Sequence, residues 1–344
     1  MEYKEENMTI VFAIIMICIL IFIHELGHFI AAKACGVKVN EFALGMGPAI
    51  IKRQKGETLY SLRIIPIGGY CAMEGEDEDS EDEKAFNKKP AWQKAIILVA
   101  GAGMNLIMAI VLMIIVTYYI GFPTSTIGNV QEDSPAQAAG IVAGDVILEA
   151  DGTAVDDWYD FTDIVEKHDN GEPLQLIVER DGSEVEVYAT PEKGEDGRYI
   201  IGVGTQMERS AIKSIVKGPE ATWDMTKNMY TVIKQLITGE VSTKDLSGPV
   251  GIVYMVDQSV SQGFMTFIYF TAMMSLNLAV VNLLPFPALD GGRLIFVVIR
   301  KITGKAITDN MEATVHLIGM VLLMLLMVYV TWQDILRFVL PIFK

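Results

Sequence analysis

The residues His24, Glu25 and His28 form a His-Glu-x-x-His motif near the start of the chain, in the stretch His-Glu-Leu-Gly-His. Side chains four residues apart share one face of an α-helix, so both imidazoles can reach a single ion. Two histidines at this spacing are typical zinc ligands, and the glutamate between them then lies beside the attacking water. The motif also arises by chance, but here it ends an apolar segment, where ionisable side chains are costly and usually functional.

A catalytic zinc ion needs a third protein ligand and one open position. The strongest candidate is Asp290, in the stretch Asn-Leu-Leu-Pro-Phe-Pro-Ala-Leu-Asp-Gly-Gly that spans residues 282–292. Its two prolines forbid a regular helix, and broken backbone at membrane depth is tolerated where it lines a protein-covered or wet site. The alternative is that Asp290 only caps the helix that follows. The predicted metal ligands are therefore His24, His28 and Asp290, with Glu25 as the catalytic base.

Four apolar segments are long enough to place these residues in a membrane, at about residues 10–34, 95–120, 264–284 and 315–332. The composition agrees, because 51% of the 344 residues are hydrophobic and the mean hydropathy is +0.36. The first segment is not typical of a signal peptide, since it lacks a basic start and a small-residue cleavage site. The net charge of −16 argues against a nucleic-acid partner.

Lysine and arginine are concentrated in two loops, one between the first and second segments and one between the third and fourth. By the positive-inside rule both loops are expected in the cytoplasm. The N-terminus, the C-terminus and the long middle region are then extracytoplasmic. The two halves of the predicted metal site fall at the cytoplasmic side, where they can meet.

The first loop contains a predicted β-hairpin within residues 41–70, with strands at Ala49–Lys52 and Leu59–Ile65. Such a hairpin lies against the membrane and implies a covered cavity. The acidic run from Glu74 to Glu83 that follows it is predicted to be a solvated loop.

The middle of the chain, residues 124–205, has the short strands and helices of a small α/β domain. We predict four parts in all. Residues 1–123 and 263–344 form the two halves of a membrane core, and residues 206–262 form an amphipathic helical segment after the small domain. Cys18, Cys35 and Cys71 have no CxxC spacing and are expected to be reduced.

Together the motifs HELGH and NLLPFPALDGG, the hairpin ending in IPIGGY, and the elements Ser134–Ile141, Gly144–Leu148 and Asp151-Gly152 resemble the bacterial site-2 protease family. The resemblance is to the branch with one PDZ domain, and it covers nearly the whole chain. It implies a polytopic α-helical membrane protein, with four transmembrane helices, a membrane-associated β-hairpin and an inserted extracytoplasmic α/β PDZ domain.

The resemblance also implies an activity and a location. The expected enzyme is a zinc metalloendopeptidase of the cell membrane that cuts transmembrane segments of pre-trimmed, single-span proteins during regulated intramembrane proteolysis. Anti-sigma factors and remnant signal peptides are the substrates expected from the family, and the lipid bilayer is the expected surroundings.

By the same resemblance, the family's metal ligands match His24, His28 and Asp290, and its catalytic glutamate matches Glu25. Asn282, and also Asn277, match asparagines that hold the extended substrate backbone, and interhelical hydrogen bonds are the alternative role for both. The family often has Gly-Pro-x-x-Asn in the second span, whereas here residues 101–105 are Gly-Ala-Gly-Met-Asn. The kink from the missing proline is therefore in doubt, and Asn105 is a candidate for packing or for the site wall.

Three other classes of protein are alternatives. An inactive membrane PDZ scaffold would be favoured by an altered ligand or glutamate, yet all four positions are intact. A soluble-type zinc protease on a membrane anchor needs its catalytic helix in the aqueous domain, whereas HELGH lies in the first apolar segment. A metal transporter is expected to carry polar residues along several spans, whereas the second span has no charged residue.

Overall fold

A computed structural model describes residues 2–76, 78–168, 171–194, 197–240, 247–303 and 309–340. The chain divides into two compact units. One, here called the core unit, comprises residues 1–116 and 218–344, and the other, here called the inserted module, comprises residues 117–217.

The helices are α1 (Glu2–Ala34), α2 (Ala91–Ile120), α3 (Pro135–Ala138), α4 (Trp158–Lys167), α5 (Ala211–Thr238), α6 (Pro249–Ser261), α7 (Phe264–Asn282), α8 (Asp290–Thr303) and α9 (Asp309–Asp334), with a π-helical turn at Ile335–Val339. Four stretches are long and apolar enough to cross a membrane, namely Thr9–Ala34, Ala91–Ile120, Phe264–Asn282 and Met311–Phe338. The four-span prediction is confirmed, with the fourth span longer at both ends than expected. The chain is a polytopic α-helical membrane protein.

Small residues let α1 and α2 approach closely inside the core unit. A Cβ atom at Gly27 would lie 2.2 Å from the carbonyl oxygen of Ala100, so only glycine fits there. A second contact joins α1 to α6 and α7 through apolar side chains. These are Ala13, Met16 and Leu20 with Val256, Phe267 and Phe270.

The hairpin is longer and more curled than the sequence predicts. Its strands are β1 (Val39–Lys55) and β2 (Thr58–Met73), and they form an antiparallel two-stranded sheet. The register shifts repeatedly, so that Phe42 has Cα partners at both Tyr60 and Cys71. Gly45 and Gly47 have positive φ angles inside β1. The predicted strand began only at Ala49, after these glycines, whereas in the structure they bend the strand and let it continue.

The acidic run is not simply a solvated loop. Two of its members, Glu74 and Asp82, form ion pairs with Lys38 at 3.5 and 3.1 Å. Glu76 pairs with Arg293 at the start of α8. Only tertiary structure brings these cations to the run, because they lie far from it in the sequence.

The inserted module is built on an antiparallel sheet. Its strands are β3 (Phe122–Val130), β4 (Val146–Ala150), β5 (Thr153–Ala154), β6 (Leu174–Arg180), β7 (Ser183–Ala189) and β10 (Val203–Glu208), and β8 (Glu192–Lys193) pairs with β9 (Tyr199–Ile200) separately. The order is β10-β3-β4-β6-β7, with β5 beside β4. The alternating apolar residues of β6, Leu174, Leu176 and Val178, are fully buried and pack with Phe161 of α4.

Candidate active site

The two histidines of the motif lie one turn apart on the inner face of α1. Both are buried, with 8% and 7% of their surface exposed for His24 and His28. Their Nε2 atoms are 3.2 Å apart. Two ring nitrogens that face each other at this distance in a buried place need a cation or a proton between them.

Asp290 reaches the same point from the other half of the core unit. It is the first residue of α8, after a loop in which Pro285 and Pro287 contribute no backbone donor. Its Oδ2 lies 3.2 Å from Nε2 of His24 and 3.4 Å from Nε2 of His28. This oxygen is buried, and no described residue donates to it with hydrogen-bond geometry.

The three distances fit a zinc ion. A tetrahedral zinc site with bonds of about 2.0–2.1 Å has ligand atoms about 3.3 Å apart, from the edge of the tetrahedron. The observed spacings of 3.2, 3.2 and 3.4 Å match that edge. Two imidazoles and one carboxylate are also a donor set that zinc accepts, with a fourth position left for water or substrate.

Helix α2 contacts both imidazole rings at their Nδ1 atoms. Nδ1 of His28 lies 2.8 Å from the carbonyl oxygen of Ile97, and Nδ1 of His24 lies 3.3 Å from Nδ2 of Asn105. Gly101, midway between them, makes room for the rings, since its Cβ would lie 2.3 Å from Nε2 of His28.

Most of these contacts between α2 and the histidine rings could not be predicted from the sequence. The carbonyl of Ile97 has no sequence signal, because every residue type carries the same backbone carbonyl. The spacing of Gly101 and Asn105 was the one available signal, and it suggested Asn105 only as a packing or wall residue.

Glu25 lies on the same turn of α1 as the two histidines. Its carboxylate lies beside the backbone of Cys71 in β2. Gly69 of the same strand is close enough that an added Cβ would lie 3.7 Å from Cγ of Glu25. The hairpin strand therefore runs directly beside the predicted catalytic base.

The two predicted substrate-binding asparagines lie on α7 and are not part of the histidine cluster. Asn282 is its last residue and is half-buried, whereas Asn277 is exposed. Five residues of helix separate them by about 140° around the axis, so they face different directions. Neither side chain forms a hydrogen bond within the described parts of the chain, which leaves both polar groups available.

The chain is similar to known proteins over most of its length. The model of peptidase family M50 matches residues 12–326. A Clostridium acetobutylicum protein described as a zinc metalloprotease is 39% identical, over 95% of this chain and 97% of its own length. The Bacillus subtilis protein named regulator of sigma-W protease RasP is 31% identical, over 96% and 98% of the two chains.

Solved structures of PDZ domains also align with part of the chain. The PDZ domain of an SdrC-like protein from Listeria monocytogenes is 21% identical and covers 24% of this chain and 88% of its own, with a TM-score of 0.22. The family match spans nearly the whole chain, including HELGH and Asp290. The chain therefore belongs to peptidase family M50, the site-2 protease family.

Proposed function

We propose that the protein is a zinc-dependent intramembrane endopeptidase whose metal is held by His24, His28 and Asp290. The observation that carries the proposal is the convergence of three ligand atoms, 3.2–3.4 Å apart, at the end of a membrane-spanning helix. Its relatives from Clostridium acetobutylicum and Oceanobacillus iheyensis are described as zinc metalloproteases, which supports the choice of metal.

The chemistry divides between the ion and the protein. Bound zinc supplies a Lewis acid that polarises the scissile carbonyl and acidifies water. Glu25 takes a proton from the attacking water and passes it to the leaving amine. The backbone of Cys71 lies beside the carboxylate of Glu25, so β2 borders the base on one side.

The substrate must be extended at the cleavage point, because a helical peptide bond is hidden by neighbouring turns. Strand β2 offers an edge for such a segment, with Gly69 and Cys71 beside Glu25. An added strand gains backbone hydrogen bonds from an unpaired sheet edge. Asn282, at the end of α7, then contacts the substrate backbone, and Asn277 has the same role from another face.

The substrates we propose are single-span proteins already trimmed outside the membrane, of the anti-sigma-factor type, and remnant signal peptides. The name of the Bacillus subtilis relative, regulator of sigma-W, supports the first class. We also propose that the inserted module and both termini are extracytoplasmic and that the active site lies toward the cytoplasm. An extracytoplasmic module would exclude proteins that still carry bulky external domains.

The test compares Glu25→Gln with Asp290→Ala in the purified full-length protein. Glu25→Gln should keep zinc but lose at least about 100-fold in cleavage of a model transmembrane substrate, since only the base is removed. Asp290→Ala should lose zinc and activity together. His168→Ala, a histidine of the inserted module, is the matched control and should change neither. Normal turnover by Glu25→Gln, or native zinc affinity in Asp290→Ala, would refute the assignment.

A further inference from the structure

Asn105 is buried completely in α2, with 0% of its surface exposed. Its backbone carbonyl accepts a hydrogen bond of 2.8 Å from Oγ of Ser275 on α7, which fixes this turn of the helix. Its amide faces Nδ1 of His24 at 3.3 Å. The amide oxygen Oδ1 is buried and has no hydrogen-bond partner among the described residues.

Because His24 is a predicted metal ligand, the state of its ring decides whether the side-chain amide of Asn105 must donate or accept a hydrogen bond. The ring points Nε2 at the predicted metal position, 3.2 Å from Asp290 Oδ2. A neutral imidazole that gives its Nε2 lone pair to a metal carries its proton on Nδ1, so Nδ1 is then a donor. The group that faces it must be an acceptor. The oxygen and nitrogen of an amide exchange places by a half-turn about the last side-chain torsion.

We propose that Asn105 is a positioning residue, whose Oδ1 accepts the Nδ1 proton of His24 and so fixes that ring as an Nε2 metal ligand. The proposal rests on the zinc site of the proposed function. The half-turn that brings Oδ1 to His24 gives that oxygen a partner and moves Nδ2 to the place that Oδ1 leaves.

The other histidine supports this arrangement. Nδ1 of His28 lies 2.8 Å from the carbonyl oxygen of Ile97, which is an acceptor by nature. Ile97 and Asn105 are eight residues apart on α2, hence on the same face, with Gly101 between them. One helix face therefore supplies an acceptor to each second ring nitrogen, as metal-binding histidines usually require.

A role in packing alone predicts different behaviour. Leucine has the same branching and the same number of side-chain heavy atoms as asparagine, with larger methyl groups, and it would fill the same buried place without an unpaired oxygen. Aspartate has the size of asparagine and only acceptor oxygens, but it adds a buried negative charge. If Asn105 only packs, Asn105→Leu should keep more of the zinc affinity than Asn105→Asp. If Oδ1 of Asn105 is an acceptor, Asn105→Asp should keep more of it than Asn105→Leu.

The experiment measures zinc affinity of the purified full-length protein by competition with a chromogenic chelator. Asn105→Leu should bind zinc 10–100-fold more weakly than the unaltered protein, as expected when such a partner is removed. Asn105→Asp should stay close to the unaltered protein. Thermal unfolding of the metal-free variants, measured in parallel, shows whether each is folded. Unchanged affinity in Asn105→Leu, or an equal loss in a folded Asn105→Asp, would overturn the proposal.

A second readout does not need Asn105→Leu to fold. In the cobalt-loaded protein, Asn105→Asp should shift the visible d–d absorption band, because a charged acceptor makes His24 a stronger donor to the metal. An unshifted band would contradict the proposal. If the unaltered protein binds zinc no better than His24→Ala, the proposed zinc site itself fails, and that outcome is distinct from a failure of Asn105 alone.

Discussion

The backbone N–H of Ala288 donates a hydrogen bond of 2.8 Å to Nδ1 of His316 on α9. Ala288 has a φ of 77°, in the left-handed region that favours glycine. Nearby, a Cβ on Gly319 would lie 2.5 Å from the carbonyl oxygen of Pro287, so α9 packs directly on this loop. Asp290 follows two residues later. The fourth span therefore holds the loop that carries the predicted third metal ligand.

Replacing His316 should weaken the metal site without touching a ligand. His316→Leu removes the acceptor for the Ala288 N–H, and we expect zinc affinity to fall by about 10-fold, in the range for lost outer-shell contacts. His316→Asn places an oxygen near the position of Nδ1 and should retain most of the affinity. Equal affinities for the two variants, measured by chelator competition, would show that this hydrogen bond does not support Asp290.

The positive φ angle of Ala288 leads to a separate prediction. Ala288→Gly should be tolerated or slightly stabilising, because glycine adopts positive φ without steric cost. Ala288→Val should destabilise the loop by about 1–3 kcal/mol, since a branched side chain is strongly disfavoured there. The melting temperature and zinc content of both variants provide the measurement. A Val variant as stable as the Gly variant would mean that this φ is not maintained in the protein.

Gly101 and Gly103 form a matched pair on α2. A Cβ at Gly101 would lie 2.3 Å from Nε2 of His28 and 2.8 Å from Cε1 of His24, whereas a Cβ at Gly103 would meet nothing within 4 Å. We expect Gly101→Ala to lose zinc and at least about 100-fold in cleavage, because the rings must leave their positions.

Gly103→Ala should keep both zinc and activity, and it should stabilise the helix by up to about 1 kcal/mol. Zinc content and initial cleavage rates of the two variants, at equal amounts of folded protein, give the comparison. Comparable losses in both would point to helix packing as the cause and not to crowding of the histidines.

The inserted module contains an ion pair between the buried Asp145 and the partly exposed Arg180 that predicts a pH dependence. Asp145 accepts from Nε and Nη2 of Arg180 at 2.7 and 2.6 Å, and from the N–H of Val142 at 3.0 Å. Burial raises the pKa of the Asp145 carboxyl, but these hydrogen bonds outweigh it and hold the pKa below its usual value. The folded pKa is thus lower than the unfolded one.

The pair therefore contributes stability that is fully present above the ordinary aspartate pKa of about 4 and is lost as the pH falls through the lowered folded pKa. At pH 7, Asp145→Asn should destabilise the module by about 1–2 kcal/mol, because Arg180 stays partly exposed to solvent when it loses its partner. The difference between the two proteins should shrink below about pH 4. Urea unfolding followed by the fluorescence of Trp158, with the other three tryptophans replaced by phenylalanine, tests this. A difference that does not change with pH would exclude the titration of Asp145 as its source.

The proposed topology can be tested by cysteine labelling. Glu81 is fully exposed in the acidic run, and Ser183 is exposed in the inserted module. A membrane-impermeant thiol reagent applied to intact cells should label Ser183→Cys. It should label Glu81→Cys only after the cytoplasmic side is opened. The parent protein, with Cys18, Cys35 and Cys71 unchanged, gives the background, and the reverse pattern would invert the topology.

The sequence by itself determined the membrane spans and the donor set proposed for the metal. A run of about 20 apolar residues is a local property, and so is the i, i+4 spacing of His24 and His28. Asp290 could also be predicted from the sequence, because two prolines and two glycines around it mark a break in the helix. The strand limits of the hairpin were wrong, since Gly45 and Gly47 have the same local signature whether they end a strand or bend it.

Tertiary structure alone decided what surrounds the proposed metal ligands. The contact of Ile97 with His28, the approach of Cys71 to Glu25 and the contact of His316 with Ala288 join residues that are between 28 and 69 positions apart. Each uses a backbone group or a single side chain at a place fixed by helix packing. A backbone N–H or C=O is the same in almost every residue. A pattern of residue types therefore cannot predict which backbone groups will face the histidines, the glutamate or the loop before Asp290.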